Sequence, residues 1–360
     1  MIIHFFKSEL LLLFSILCYL VSSAYIGHFH HYSWYEVRPI FLLFMLFVTM
    51  KGVEKNGLLQ WITGKIDKGN IVAFKMVILA FLFSFIMTID VSLVVLLPIV
   101  FSIKSTSKIP LAVLVALTVH LGAALTPFGT PQNLFIYNLY SINLLDFIYT
   151  IAPFSLVLFL PLIITSFLLK QFPKNQHTHV RKRKLKVSFY PTFLYIGLFF
   201  IVVGAVLHLL NPWFVLILLI PILLYDRESL KIDYILLFIF LLFLGISHNM
   251  KEILMINSLP SHHIFFFSVL LSQLISNVPT TLLLSPFTSD WKSLLWGTNV
   301  GGFGTIIAAM ANLIAYRLVK KHTSKDEMQR YIKYFTLSGI GLLLIGIVSF
   351  FILQKSFIFA

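Results

Sequence analysis

Between residues 271 and 315 a strongly apolar run is interrupted twice, and these interruptions limit what the chain can become. The first is Ser276-Asn277-Val278-Pro279-Thr280-Thr281, and the second is Asn299-Val300-Gly301-Gly302-Phe303-Gly304-Thr305. Proline removes a backbone donor, and clustered glycines weaken a helix. In hydrocarbon, a broken helix leaves polar backbone groups that need partners in protein, water or a bound ion. Two breaks this close predict a site built from helix ends near the middle of a membrane.

The first half carries a weaker copy. Thr88-Ile89-Asp90-Val91-Ser92 interrupts one apolar run, and Thr126-Pro127-Phe128-Gly129-Thr130-Pro131-Gln132-Asn133 interrupts the next. Matched by residue type, Asp90 lines up with Asn277, Val91 with Val278, and Phe128-Gly129-Thr130 with Phe303-Gly304-Thr305. The shared order, a hairpin-like break followed by a Phe-Gly-Thr break, predicts an internal repeat.

Composition decides the surroundings. Hydrophobic residues make up 59% and charged residues 11%, and mean hydropathy is +0.95, so an all-α polytopic membrane protein is expected. The net charge of +14 does not point to nucleic acid, because the basic residues sit in short loops between apolar runs. The single cysteine, Cys18, excludes an intramolecular disulfide. Residues 10–26 read as a first span and uncleaved signal anchor.

Spans are expected at 10–26, 37–50, 148–169, 189–210, 213–225, 234–246 and 336–353. Re-entrant hairpins are expected at 71–103 and 264–287, and discontinuous spans at 111–140 and 294–319. An amphipathic stretch covers 51–70, and a polar loop covers 248–261. With the N-terminus inside, the Lys51 to Lys68 stretch, Lys104 and Lys108, the Lys170 to Lys186 loop, the Arg227 loop and the Arg317 to Lys333 loop all fall in the cytoplasm. The scheme has nine spans with the C-terminus outside. It comprises a first repeat (1–170), a linker (171–210) and a second, inverted repeat (211–360).

Helix N-termini at a break suit an anion, and unwound carbonyls with Ser, Thr or Asn oxygens suit sodium. Two polar clusters are candidates. One holds Thr88, Asp90, Gly129, Thr130 and Asn133, with Gln132 beside them. The other holds Ser276, Asn277, Pro279, Thr280, Gly304 and Thr305, with Asn299 beside them. For the substrate, the candidates are Thr130, Gln132, Asn133, Asn277, Pro279, Thr280, Asn299 and Thr305. For sodium or a proton, they are Thr88, Asp90, Gly129, Ser276, Asn277 and Gly304. The competing reading makes these small and polar residues helix-packing contacts. Asp90 is the only acidic residue between Asp67 and Asp146, and a carboxylate in hydrocarbon costs about 3 kcal/mol on insertion scales. It can bind sodium, carry a proton or sit protonated as a packing group. His120 and His208 lie in apolar runs, where a lone histidine more often packs than relays protons. No catalytic triad, zinc-ligand spacing or phosphate loop is present, so no enzyme and no cofactor beyond a coupling ion is expected.

Through Ser276-Asn277-Val278-Pro279-Thr280, through residues 125–133 and through Asn299 to Thr305, the chain resembles the ion transporter superfamily. That group includes the divalent anion:sodium symporters, the citrate transporters and the arsenite permease/sodium–proton antiporter branch. The resemblance implies an inverted-repeat scaffold, commonly a homodimer, with elevator-like movement and sodium or proton coupling. At the first tip such relatives usually carry Asn where this chain has Ile89, which removes a side-chain ligand from the first ion site. The expected activity is secondary transport of a small anion, a carboxylate or an inorganic oxyanion. The alternatives are a sodium–proton antiporter and, from other classes, a membrane-embedded enzyme or a channel.

Overall fold

A computed structural model of the chain describes residues 2–55, 72–103, 107–169, 189–255 and 258–354. Most of the amphipathic stretch (56–70), Lys104, the Lys170 to Lys186 loop and the chain end at Ala360 lie outside the described residues. Among the described residues the regular structure is helical throughout. In the first half run α1 (Ile2–Ile26), α2 (Trp34–Lys55), α3 (Val72–Ile86), α4 (Ile89–Ser102), α5 (Lys108–Ala124), α6 (Pro131–Leu139) and α7 (Leu144–Leu168). Then come α8 (Phe189–Val206), α9 (Pro212–Tyr225) and α10 (Tyr234–Leu254). The second half continues with α11 (Ser261–Ile275), α12 (Asn277–Leu284), α13 (Trp291–Gly301), α14 (Met310–Lys320) and α15 (Lys325–Gln354).

Three helices are long and apolar enough to cross a bilayer: Leu144–Leu168, Tyr234–Leu254 and Lys325–Leu353. Several shorter apolar helices accompany them. The outer surface is itself apolar. Leu156, Leu160, Ile164 and Phe167 of α7 are exposed, as are Leu337, Leu344, Val348 and Ile352 of α15. In water these side chains would be a liability; against lipid tails they are solvated. The chain is a multi-pass membrane protein.

Helices α5 and α13 are deeply buried. Every residue of α5 from Leu111 to Ala124 is buried, as is α13 from Ser293 to Gly301. Helix α3 packs on α5, and α11 packs on α13. Small residues allow both approaches. A Cβ at Gly122 would run into the Phe81 carbonyl oxygen and Ser84 Oγ, and one at Gly301 would lie 2.7 Å from Ser272 Oγ. Close packing of this kind replaces the hydrophobic effect as the force between helices in lipid.

Several elements run further than the sequence suggested: α1 begins at Ile2 rather than residue 10, α15 begins at Lys325 rather than residue 336, and α2 and α10 are extended as well. α2 covers Trp34–Lys55, because Ser33 and Glu36 start it a turn earlier: the Ser33 N–H donates to Glu36 Oε2 at 2.7 Å. α10 continues through the stretch read as a polar loop, as far as Leu254. There Asn249 is buried, and its Nδ2 donates to Ser22 Oγ and Ser23 Oγ of α1, both at 2.9 Å.

Candidate functional site

The hairpin tips and the helix breaks meet through the backbone. Ile89 N–H at the start of α4 donates to the Gly129 carbonyl at 2.9 Å, and Asn277 N–H at the start of α12 donates to the Ala308 carbonyl at 2.9 Å. Each break is then braced by one asparagine. Asn133 Nδ2 donates to the carbonyls of Ala124 (3.0 Å) and Thr126 (3.3 Å). Asn312 Nδ2 donates to those of Gly302 (2.9 Å) and Thr305 (3.1 Å). These carbonyls are freed by the break, and a buried one left unpaired would cost about 1–3 kcal/mol.

The bonds set a register different from the one read by residue type. Asn133 pairs with Asn312, Thr126 with Thr305 and Gly129 with Ala308. At the tips, Thr88 corresponds to Ser276 and Ile89 to Asn277, since each pair holds the same cap and first-turn positions. Phe303-Gly304-Thr305 therefore does not occupy the place of Phe128-Gly129-Thr130, and Asp90 takes the place of Val278. A three-residue identity carries less spatial information than a pattern of hydrogen bonds.

A cavity of about 280 Å³ lies where the tips and breaks converge. It is lined by Thr88 to Val91, Thr130 to Gln132, Asn277 and Val278, and Ala309 to Ala311. These are the first turns of α4, α6, α12 and α14, so four helix N-termini face one space. Each carries roughly half a positive charge, although the N–H groups of Ile89, Asn133 and Asn277 are already bonded and Pro131 and Pro279 have none. Thr88, Ser276 and Ala309 make no side-chain cap. Asp90 lies in the first turn of α4 and is partly accessible from the cavity. Among the described residues no hydrogen bond or ion pair occupies its carboxylate. His120 lines the same space and packs on the Phe303 ring, with centroids 4.7 Å apart. Lys51, Lys231 and Arg317 line the cavity as well, together with Asp233.

Of the residues predicted for the site, the cavity brings together Thr88, Asp90, Thr130, Gln132 and Asn277. The rest stand behind them. Asn299 Nδ2 donates to Asn133 Oδ1 at 2.9 Å and joins the two braced breaks. Gly129 supplies the carbonyl that holds the first tip. Thr280 Oγ1 donates to the Ser276 carbonyl at 2.9 Å, and Pro279 is buried in the first turn of α12. Thr305 N–H donates to Gln273 Oε1 at 3.2 Å, and Gly304, with φ +101°, packs against Gln273 and Gly339. Ser276 itself takes φ +77° and ψ +153°, a conformation that disfavours any side chain and concentrates at functional sites.

Several polar atoms around the breaks are buried without a hydrogen-bond partner among the described residues: Thr126 Oγ1, Ser276 Oγ, Asn299 Oδ1 and both ring nitrogens of His120. Native interiors rarely leave such atoms unmatched unless water, an ion or a ligand engages them. Their oxygens are the hard donors that sodium prefers.

Several contributors escaped the sequence reading, Lys51 and Asp233 among them. Gln273 and Asn312 are lone amides inside apolar helices. Arg317 and Lys231 were counted only as loop charges. The spacing of Met310, Ile314 and Arg317, one face of α14, was the available signal for Arg317.

The sequence profile of the citrate transporter family matches residues 8–291. An uncharacterized transporter of Methanocaldococcus jannaschii is 34% identical over 302 residues, covering 81% of this chain and 82% of its own length. Inner membrane protein YbiR of Escherichia coli is 30% identical over 299 residues, covering 78% of this chain and 79% of its own.

Proposed function

The chain belongs to the citrate transporter family, and on that footing we propose that it is a secondary active transporter of a small anion, a carboxylate or an inorganic oxyanion, coupled to sodium or protons. The observation that carries this reading is the convergence of four helix N-termini on one cavity. Such ends stabilise an anion without a fixed counter-charge, so the substrate is held firmly enough to be chosen and loosely enough to leave. Arg317, Lys51 and Lys231 add positive potential on the approach, which raises the local anion concentration.

In this reading the two halves are inverted repeats. α3 and α4 form a re-entrant hairpin entering from the cytoplasm. α11 and α12 form its counterpart from outside. Contacts at their far ends support this. Phe101 stacks on His322, with centroids 5.2 Å apart, while Tyr140 OH donates to the carbonyls of Ser285 (2.9 Å) and Thr288 (3.0 Å). Nine spans result, with the N-terminus in the cytoplasm and the C-terminus outside. The hairpins and broken helices carry the site as one unit in an elevator-like movement, within a homodimer.

The orphaned oxygens beside the tips, Ser276 Oγ and Asn299 Oδ1, are the reading's sodium ligands, and Asp90 is its proton or sodium carrier. A second reading follows from Asp90 alone. A carboxylate in the cavity without a partner among the described residues also suits a sodium–proton antiporter that moves no organic substrate. Uptake into proteoliposomes under imposed gradients separates the two. Accumulation of a labelled anion driven by an inward sodium or proton gradient supports the symporter. Gradient-driven exchange of sodium for protons with no anion requirement establishes the antiporter instead.

A further inference from the structure

On the face opposite the Lys51 end of α2, three side chains from three elements converge. His30 comes from the α1–α2 connection, Glu36 from the first turn of α2, and His248 from α10. His30 Nε2 lies 3.2 Å and His248 Nε2 lies 3.1 Å from the same oxygen, Glu36 Oε1. The two imidazoles stack at 4.2 Å with their planes 18° apart. We propose that His30, Glu36 and His248 form a binding site for a divalent transition-metal ion of the zinc type.

His248 Nδ1 lies 3.0 Å from the Leu244 carbonyl, which can only accept, so Nδ1 carries the proton. The Nε2 lone pair of the neutral ring then points at a carboxylate oxygen. Two lone pairs at that separation repel unless a cation lies between them. Without a metal, the contacts require a proton on His248 Nε2, making that ring an imidazolium, together with His30 in its Nε2–H tautomer. A metal ion satisfies all three donors at once.

Two donor separations, 3.2 and 3.1 Å from Glu36 Oε1, agree with a zinc site, and all three donor atoms lie within 4.8 Å of one another. Zinc holds nitrogen and oxygen ligands at about 2.0–2.2 Å, so a tetrahedral arrangement separates its donor atoms by roughly 3.3 Å. Imidazole and carboxylate together suit zinc, copper and nickel better than calcium or magnesium. The surrounding groups hold the donors in place. Glu36 Oε2 accepts from the N–H and the Oγ of Ser33, both at 2.7 Å, which leaves Oε1 for the metal. The Leu244 carbonyl fixes the His248 tautomer, as outer groups commonly do for metal-bound histidine. Tyr32 packs edge-on against His30 and donates its OH to the Leu241 carbonyl at 2.8 Å, tying that loop to α10. All three donor side chains are half-buried rather than free at the surface, at 17%, 12% and 33% exposure for His30, Glu36 and His248. A fourth position remains for water or a small ligand. The bound metal would clamp the α1–α2 connection onto α10, away from the transport cavity.

The test uses the full chain in detergent, stripped of metal and titrated with zinc. The expected result is one tight equivalent that raises the melting temperature. Cobalt in its place should give the intense visible bands of a four-coordinate ion. His248→Ala and His30→Ala should each weaken zinc binding by roughly tenfold or more. A His262→Ala/His263→Ala double variant, which removes an exposed histidine pair elsewhere, should leave binding unchanged. Because Glu36 also caps α2, Glu36→Gln is read only from protein whose metal-free melting temperature matches wild type. Absence of stoichiometric binding overturns the site. So does a weak octahedral cobalt spectrum, binding indifferent to His248→Ala, or binding lost in the His262/His263 variant.

Discussion

At the residue scale, Asp90 is the position where charge, burial and access coincide. It replaces Val278 in the pseudo-equivalent tip, so the two tips are unequal: one offers a carboxylate, the other an amide at Asn277. Asp90→Asn keeps the shape and removes the charge. The expected result is uptake that no longer responds to the coupling gradient, in protein of near-wild-type melting temperature; unchanged gradient dependence would remove Asp90 from the mechanism. A second carboxylate sets a pH dependence of stability at the membrane surface. Asp226 accepts from Tyr195 OH (2.8 Å) and Ser229 Oγ (2.9 Å), and Lys55 Nζ lies 3.0 Å away. Burial alone would push its pKa up, but the hydrogen bonds from Tyr195, Lys55 and Ser229 together hold it below the ordinary carboxylate value. Its stabilisation is therefore present above the unfolded-state pKa and lost as pH falls through the folded one. Asp226→Asn should lower the melting temperature at pH 6, and the gap to wild type should close on acidification below pH 4. A gap constant with pH would contradict the assignment. The polar tip residues were legible because each is anomalous in an apolar run. Asn312 was not, since a single amide within a helix carries no sign that its partners are the freed carbonyls of a break seven to ten residues earlier.

At the scale of elements, the breaks matter because whole helices sit close enough to support them. Gly122 and Gly301 lie in the last turns of α5 and α13, and each faces a serine, Ser84 or Ser272. Gly122→Val would drive a side chain into the Phe81 carbonyl and Ser84. It should destabilise by about 1–3 kcal/mol and reduce transport by displacing the first tip. Gly197→Ala meets nothing within 4 Å and should leave thermal stability near wild type. Equal melting temperatures for both variants would show that α3 does not depend on this approach. Hydropathy located the interrupted runs, since proline and glycine clusters in apolar stretches have few other uses. The register between halves was hidden, because it is fixed by backbone hydrogen bonds rather than by side-chain identity. Phe-Gly-Thr misled for that reason: Gly304 is needed for its positive φ beside Gln273, whereas Gly129 is needed because a Cβ there would strike the Ala123 carbonyl.

At the scale of the whole molecule, an apolar exterior surrounds a small polar interior. The exposed leucines of α7 and α15 face lipid, while Thr88, Asp90, Thr130, Gln132 and Asn277 are collected in one cavity. Composition alone announced the membrane. What composition could not announce is that four separate first turns share one space, because that depends on chain tracing through two breaks. The basic lining of the cavity was equally hidden: Lys51, Lys231 and Arg317 satisfy the positive-inside pattern wherever their side chains point. In the proposed mechanism this space holds an anion. The most direct measurement is thermal stability of the purified protein against a panel of carboxylates and oxyanions, with and without sodium and at several pH values. An anion at a hundred times its dissociation constant should stabilise the fold by roughly 2.7 kcal/mol, and it should do so more strongly with the coupling ion present. Stabilisation by sodium or pH alone, with every anion inert, would contradict the anion site and leave the cavity to cation exchange.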